Sequence, residues 1–129
     1  MADLQCEEAI HIAERPFYDV VMADSVFQYF QDTEYEMNVL EKMWSKAQKA
    51  VIITEIHDEE MKEEYLNYRR QCVENYDEKY EGLDKTFYTK EMFQAFAKHV
   101  WAKCLIVKPE NELYWNNKYV FDCYLIKER

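Results

Sequence analysis

The chain has 129 residues, 26 acidic and 16 basic, for a formal charge of −10 at pH 7. That balance argues against a broad nucleic-acid footprint, which needs clustered Lys and Arg, and against anionic membrane surfaces. With 49% apolar residues, eleven tyrosines and seven phenylalanines, the composition predicts one folded domain over residues 1–129, not a disordered tail.

Taken in order, Leu4 to Glu14 has the composition of a short helix, with Asp3 as N-cap, Glu7-Glu8 in the first turn and Pro16 as its stop. Asp19 to Ala23 is continuously apolar after its first residue and reads as a strand buried on both faces. Thr33 to Lys46 is a helix: Asp32 can cap it, and Tyr35, Val39, Leu40, Met43 and Trp44 recur at helical spacing. "AVIITEI", residues 50–56, is a second buried strand. Asp58 then caps a long charged helix over Glu59 to Tyr76. "TKEMFQAFAKHV" predicts a further helix with Thr89 as N-cap. "AKCLIVKP" and "YVFDCYLIKE" close the chain as two strands of a hairpin. The first two strands, joined by a helix, should be parallel with a right-handed crossover. The expected strand order is first, second, fourth, third.

The first residues lack a basic stretch followed by an apolar core, and no apolar run approaches the ~18 residues of a membrane-crossing helix. Neither a signal peptide nor a membrane span is expected. Cys6, Cys72, Cys104 and Cys123 form no CxxC pair. They read as reduced thiols of a cytoplasmic protein, not as a zinc site. Gly82 is the one glycine, so neither a GxGxxG turn nor a phosphate loop can be built.

Several stretches, taken in this order, resemble the C-terminal part of a class I S-adenosylmethionine-dependent methyltransferase. "YDVV" (18–21) resembles the family's fourth strand, "ADSVFQYFQD" (23–32) the stretch after it, and "KAVIITEIHDEE" (49–60) the fifth strand and its exit. "KYEGLDKTFYTKEMF" (79–93) resembles the region before the last helix, and the closing hairpin the sixth and seventh strands. The resemblance implies an α/β fold: a partial Rossmann-like sheet of parallel strands plus a C-terminal antiparallel hairpin, with helices on both faces. It implies S-adenosylmethionine as cofactor and a small-molecule methyl acceptor. Asp3 and Leu4 match the positions that contact adenine. Ala23 and Asp24 would lie near the methionine end of the cofactor, with Ser25 and Val26 beside it. Gln28 and Tyr29 would face the transferred methyl or the substrate. The family's glycine-rich turn and its acidic ribose-binding residue have no counterpart here. The chain therefore reads as a truncated domain beginning about a third of the way in, inactive alone and binding the cofactor weakly or not at all.

Each site residue also has a plainer reading. Asp3 is an adenine acceptor or an N-cap; Asp24-Ser25 is a cofactor corner or a ligand-free turn; Tyr29 and Phe30 are pocket or core. His57 and Asp58 leave the second strand where site residues gather, yet they also fit a loop histidine and a helix cap. Tyr76, Tyr80 and Tyr88 line an acceptor pocket or simply pack. Asp84-Lys85 stand where some relatives carry a histidine. Arg69-Arg70 meet an anionic substrate or belong to a solvated helix face. The expected partners are the small-molecule acceptor and either a second copy or a missing N-terminal half, meeting through "DVVMA". That strand has no proline or lysine to blunt an open edge, and Val20, Val21, Met22 and Phe27 would lie uncovered beside it. The competing function is a non-catalytic interaction module using the same edge.

Overall fold

The computed structural model describes residues 4–13, 15–111 and 113–128. One sheet holds β1 (Tyr18–Asp24), β2 (Ala47–His57), β3 (Ala102–Val107) and β4 (Val120–Lys127) in the order β1-β2-β4-β3. β1 and β2 run parallel, joined by α1 (Thr33–Lys46). β4 is antiparallel to both β2 and β3, so the hairpin lays its second strand, not its first, against the parallel pair. The strand order and directions are those the sequence predicts.

Local chemistry explains the helix ends. The Asp32 side chain accepts from the Glu34 N–H at 3.0 Å, and the Thr89 hydroxyl accepts from the Met92 N–H at 3.3 Å at the start of α4 (Lys90–Val100). Val39, Leu40 and Met43 of α1 and Phe93, Phe96 and Ala97 of α4 are buried. They meet Val51 and Ile53 of β2 and Cys123 and Leu125 of β4 in one apolar core.

Four expectations are corrected. Leu4 to Glu14 is not a helix: among its described residues there is one 3-10 turn, Ala9–His11, and Leu4 is exposed. A segment this short is marginal as a helix without a packed face, and only Ala9 and Ile10 reach the core. The long charged helix is divided into a 3-10 turn (Glu59–Met61), α2 (Lys62–Cys72) and α3 (Tyr76–Lys79). α2 buries only Tyr65, so no apolar stripe carries it onward, and Asn75 turns left-handed at φ 57°. Phe27 is fully buried rather than uncovered, because the turn after β1 folds it against Tyr88 and Phe93.

The fourth correction concerns the sheet faces. Val21 pairs with Val51 and Ala23 with Ile53, and this face lies under α1 and α4. The opposite face presents Val20, Met22, Ile52, Tyr124 and Leu105. Val20, Met22 and Leu105 there are 47%, 59% and 41% exposed. Helices on both faces were expected; among the described residues they cover one. α1 and α4 both pack on the covered side, while α2 contacts the 3-10 turn Trp115–Tyr119. β1 is an edge strand as well. The chain exposes 9069 Å², whereas a compact monomer of 15.8 kDa exposes about 7300 Å².

A bulge interrupts the β2–β4 ladder between Ile53 and Ile56. Glu55 takes φ 54° there, and its N–H donates to the Asp122 carboxylate at 3.0 Å. A left-handed conformation costs an ordinary residue about 1 kcal/mol that glycine avoids. Glu55→Gly should therefore be neutral or stabilising by up to about 1 kcal/mol in urea unfolding. At an extended position of the same sheet, such as Ile52→Gly, the change should destabilise.

Candidate functional site

The carboxyl ends of β1 and β2 and the start of β4 lie at one end of the sheet. β1 ends at Asp24, whose carboxylate accepts from the Thr54 hydroxyl at 2.5 Å. Ser25 then turns left-handed at φ 58°, and its N–H donates to the Thr54 carbonyl at 3.1 Å. This locks the corner to the neighbouring strand. The 3-10 turn Phe27–Tyr29 follows. Gln28 is buried; its amide donates to the Ser25 hydroxyl at 2.7 Å, while its Oε1 has no partner among the described residues. Two non-glycine residues in left-handed conformations, Ser25 and Glu55, thus sit just beyond the paired Asp24 and Thr54. Backbone strain of this kind concentrates at functional corners.

Beside the corner, Ala23, Asp24, Val26 and Phe27 form one wall of an apolar cavity of about 280 Å³, closed by Ile12 and by Val39 and Met43 of α1. Leu4 lies away from it, 94% exposed in an extended segment. Asp3 falls outside the described residues. The structure therefore brings Ala23, Asp24, Ser25 and Gln28 together and leaves Leu4 apart.

The second cluster gathers where β2 ends. His57 is 1% exposed, set edge-on between the rings of Tyr65 (5.1 Å) and Phe87 (5.4 Å). Neither ring nitrogen has a partner among the described residues. Burial, with the nearby Lys85 ammonium adding to it, lowers its pKa to about 4, so the imidazole is neutral. Lys85 donates from Nζ to the Tyr65 hydroxyl at 3.1 Å. Arg69 of α2 lies 5.5 Å from each of the rings of Tyr76, Tyr80 and Trp115 and donates to the Tyr80 hydroxyl at 3.3 Å. Tyr29 is 63% exposed on the rim.

Tyr88 requires a correction as a substrate-facing residue. It is buried, its hydroxyl donates to the Phe27 carbonyl at 2.8 Å, and its ring packs on Phe27 and Phe93. Desolvation raises its pKa, which suits a phenol that serves as a tether. Arg69 is corrected in the other direction: it is caged in rings and partly buried, whereas Arg70 stays on the exposed face and pairs with Asp77 at 3.1 Å. Reading the sequence did not bring out Tyr65, Lys85, Phe87 and Trp115 as a group. A partial signal was present, since Tyr65, Tyr68 and Arg69 share a helix face, and Tyr76 and Tyr80 are four apart. Among the described residues no three His, Cys, Asp or Glu side chains are placed to hold a metal ion.

Superposition finds the same architecture in magnesium protoporphyrin IX methyltransferase (ChlM) from Synechocystis PCC 6803. With bound SAH, that structure matches at a TM-score of 0.65 and 10% identity, over 95% of this chain and 49% of that one. With bound SAM, it matches at 0.59 and 10%, over 95% and 44%. The fold is class I S-adenosylmethionine-dependent methyltransferase-like. This chain spans about half the length of the solved structures it matches. No family model and no curated protein matches the sequence.

The neutral His57 makes a pH prediction. Its pKa falls from 6.5 unfolded to about 4 folded, so between these values the unfolded chain binds the extra proton. Stability is then full above about pH 6.5 and declines toward pH 4, by up to ~1.4 kcal/mol per unit. Urea midpoints across this range should flatten in His57→Phe relative to the parent chain. Parallel slopes would show that His57 keeps water or a proton.

Proposed function

We propose that this chain is the acceptor-side portion of an S-adenosylmethionine-dependent methyltransferase acting on a small molecule. What carries the reading is the match of nearly the whole chain to a methyltransferase crystallised with SAH and with SAM. The locked corner after β1 supports it, since ligands of open α/β sheets bind beyond the carboxyl ends of the strands. In this reading Ala23, Asp24 and Ser25 flank the methionine end of the cofactor, and Asp3 and Leu4 belong to its adenine side. Gln28, expected to face the methyl or the substrate, is instead buried behind Ser25 and donates to its hydroxyl. Tyr29, His57 and Tyr80 belong to the acceptor side.

S-adenosylmethionine supplies an electrophilic methyl group on a sulfonium. The protein's part is to align the acceptor and keep water out. His57 is packed between rings at that end of the sheet, and its neutral imidazole has two nitrogens without a partner among the described residues. Gly82 lies in the exit from α3, so this chain brings no glycine-rich cofactor loop and is inactive alone. Its reduced thiols suit the cytoplasm. Calorimetry with S-adenosylmethionine and S-adenosylhomocysteine tests the cofactor side. The chain by itself should give no saturable binding at low micromolar ligand, and tight binding would show that the missing loop is dispensable.

The second reading is an interaction module associating through the β1 edge, as a homodimer or with a separate N-terminal half. The open edge and the exposed Val20 and Met22 favour it. Unpaired N–H and C=O groups on a flat apolar edge template pairing with another strand. Light scattering at tens of micromolar should find the purified chain associated, and Met22→Lys should shift it toward monomer. A stable monomer with rapidly exchanging β1 amides would remove this reading.

A further inference from the structure

We propose that β1 pairs antiparallel with β1 of a second copy of this chain, centred on Val21, and that this pairing sets the partner's Tyr18 beside the Asp24–Ser25 corner. The inference rests on the reading of the β1 edge as an interaction surface, and it names the partner and the register.

The register follows from which backbone groups β1 leaves free. Asp24 pairs with Thr54, and the Ser25 N–H donates to the Thr54 carbonyl. In a parallel ladder this pattern turns the backbone groups of Ala23 and Ser25 toward β2. Successive residues of a strand alternate, so Asp19 and Val21 also turn inward. Tyr18, Val20, Met22 and Asp24 then aim their N–H and C=O groups away from the sheet. Among the described residues no strand pairs with them. Two antiparallel copies bond only where an outward residue meets an outward residue, so their two-fold axis falls on a residue and not between two. Centred on Val21, Tyr18 meets the partner's Asp24 and Val20 meets the partner's Met22, and all four outward residues are engaged. Centred on Val20, Asp24 has no partner within the strand. Centred on Met22, Tyr18 has none, and Val20 is set against a carboxylate. Like charges directly opposite destabilise a ladder, and in the Val21 register Asp19 meets the partner's Ala23.

The cavity beside β1 supports the same partner. It is lined by Val21 and Ala23, which share the covered face, and also by Met22 and Asp24, which share the other. Side chains of successive strand residues point to opposite faces, so a cavity that touches all four meets the strand along its edge. In the Val21 register the two Val21 residues form a close pair without mutual hydrogen bonds, their Cα atoms about 4.5 Å apart. Each valine then adds an apolar wall to the other copy's cavity. On the bare face the exposed Val20 and Met22 lie against the partner's Met22 and Val20. The partner's Tyr18 comes to the carboxyl end of β1, so the second copy contributes a phenol to the corner where Asp24 holds Thr54. Each copy carries a charge of −10, a repulsion screened beyond about 10 Å at 0.1 M salt, and across this ladder no carboxylate faces another.

Light scattering at tens of micromolar gives the stoichiometry, and cysteine crosslinking reads the register. The full chain is used, with Cys6→Ser and Cys72→Ser to remove the exposed native thiols. Under diamide oxidation Val21→Cys should form a disulfide-linked dimer at least about tenfold faster than Val20→Cys or Met22→Cys, whose thiols are offset along the strand in this register. Asp19→Cys and Ala23→Cys, mixed in equal amounts, should link to each other, and neither should link to itself. Should Ala23→Cys fail to fold, Tyr18→Cys mixed with Asp24→Cys reads the other end of the same ladder. The proposal and the reading it rests on fail differently. An associated chain that Met22→Lys dissociates, but in which Val20→Cys or Met22→Cys links fastest or no mixed dimer forms, overturns the register and leaves the edge reading standing. A monomer at tens of micromolar, or association that Met22→Lys leaves intact, removes both.

Discussion

The backbone of His57 and Asp58 is the point from which the functional end of this molecule hangs. The Asp58 N–H donates to the Tyr119 carbonyl at 3.0 Å, the Tyr88 N–H donates to the His57 carbonyl at 2.7 Å, and the Glu59 N–H donates to the Tyr88 carbonyl at 2.9 Å. The Tyr88 hydroxyl then reaches the Phe27 carbonyl. Four segments distant in sequence are joined within a few ångströms: the corner after β1, the exit of β2, the approach to α4 and the entry to β4. Each bond satisfies a backbone group that burial would otherwise orphan. Asp58 is buried, caps the turn through Glu60 and pairs with Lys90, so it serves three elements at once. α2 is fastened to the same knot by Tyr65, whose ring packs on His57 and Tyr119, and by the Glu64–Lys118 pair.

The sheet was legible in the sequence because its signals are local. Short β-branched runs, a helix with an Asp cap and a proline-bounded hairpin specify elements whose order leaves few topologies. Failures occurred where local signal and packing diverge. Glu7 and Glu8 suit a helix start, but nothing in the segment buries a face, and propensity alone does not hold so short a helix. Tyr88 and Arg69 show the same limit at the site. A tyrosine and an arginine each have a buried and an exposed form open to them, and tertiary contacts decide between them. Packing turned the tyrosine inward as a tether and enclosed the arginine in rings. The left-handed Ser25 and Glu55 left no trace at all, since neither position carries the glycine that normally marks such a backbone.

The one-sided sheet bears on both functional readings. Its covered face is a complete core, with Val51, Ile53, Leu125, Phe93 and Phe121 fully or almost fully buried. The other face and the β1 edge are a surface of the kind that stable interfaces cover: apolar, flat and bordered by a free ladder. The corner at Asp24 and Ser25 ends the same edge strand, so whatever pairs with that edge also lies next to the corner.

Charge adds a final constraint at this end of the sheet. A chain of net charge −10 repels anions at long range, and a local pair of cations does not reverse that field in dilute salt. Beyond a Debye length of about 10 Å at 0.1 M salt the repulsion is screened, while the contacts around Arg69 act at hydrogen-bond distance in a partly desolvated setting. Long-range charge therefore governs how ions approach the chain only in dilute salt, and once the field is screened, contacts at hydrogen-bond distance decide what the end of the sheet holds.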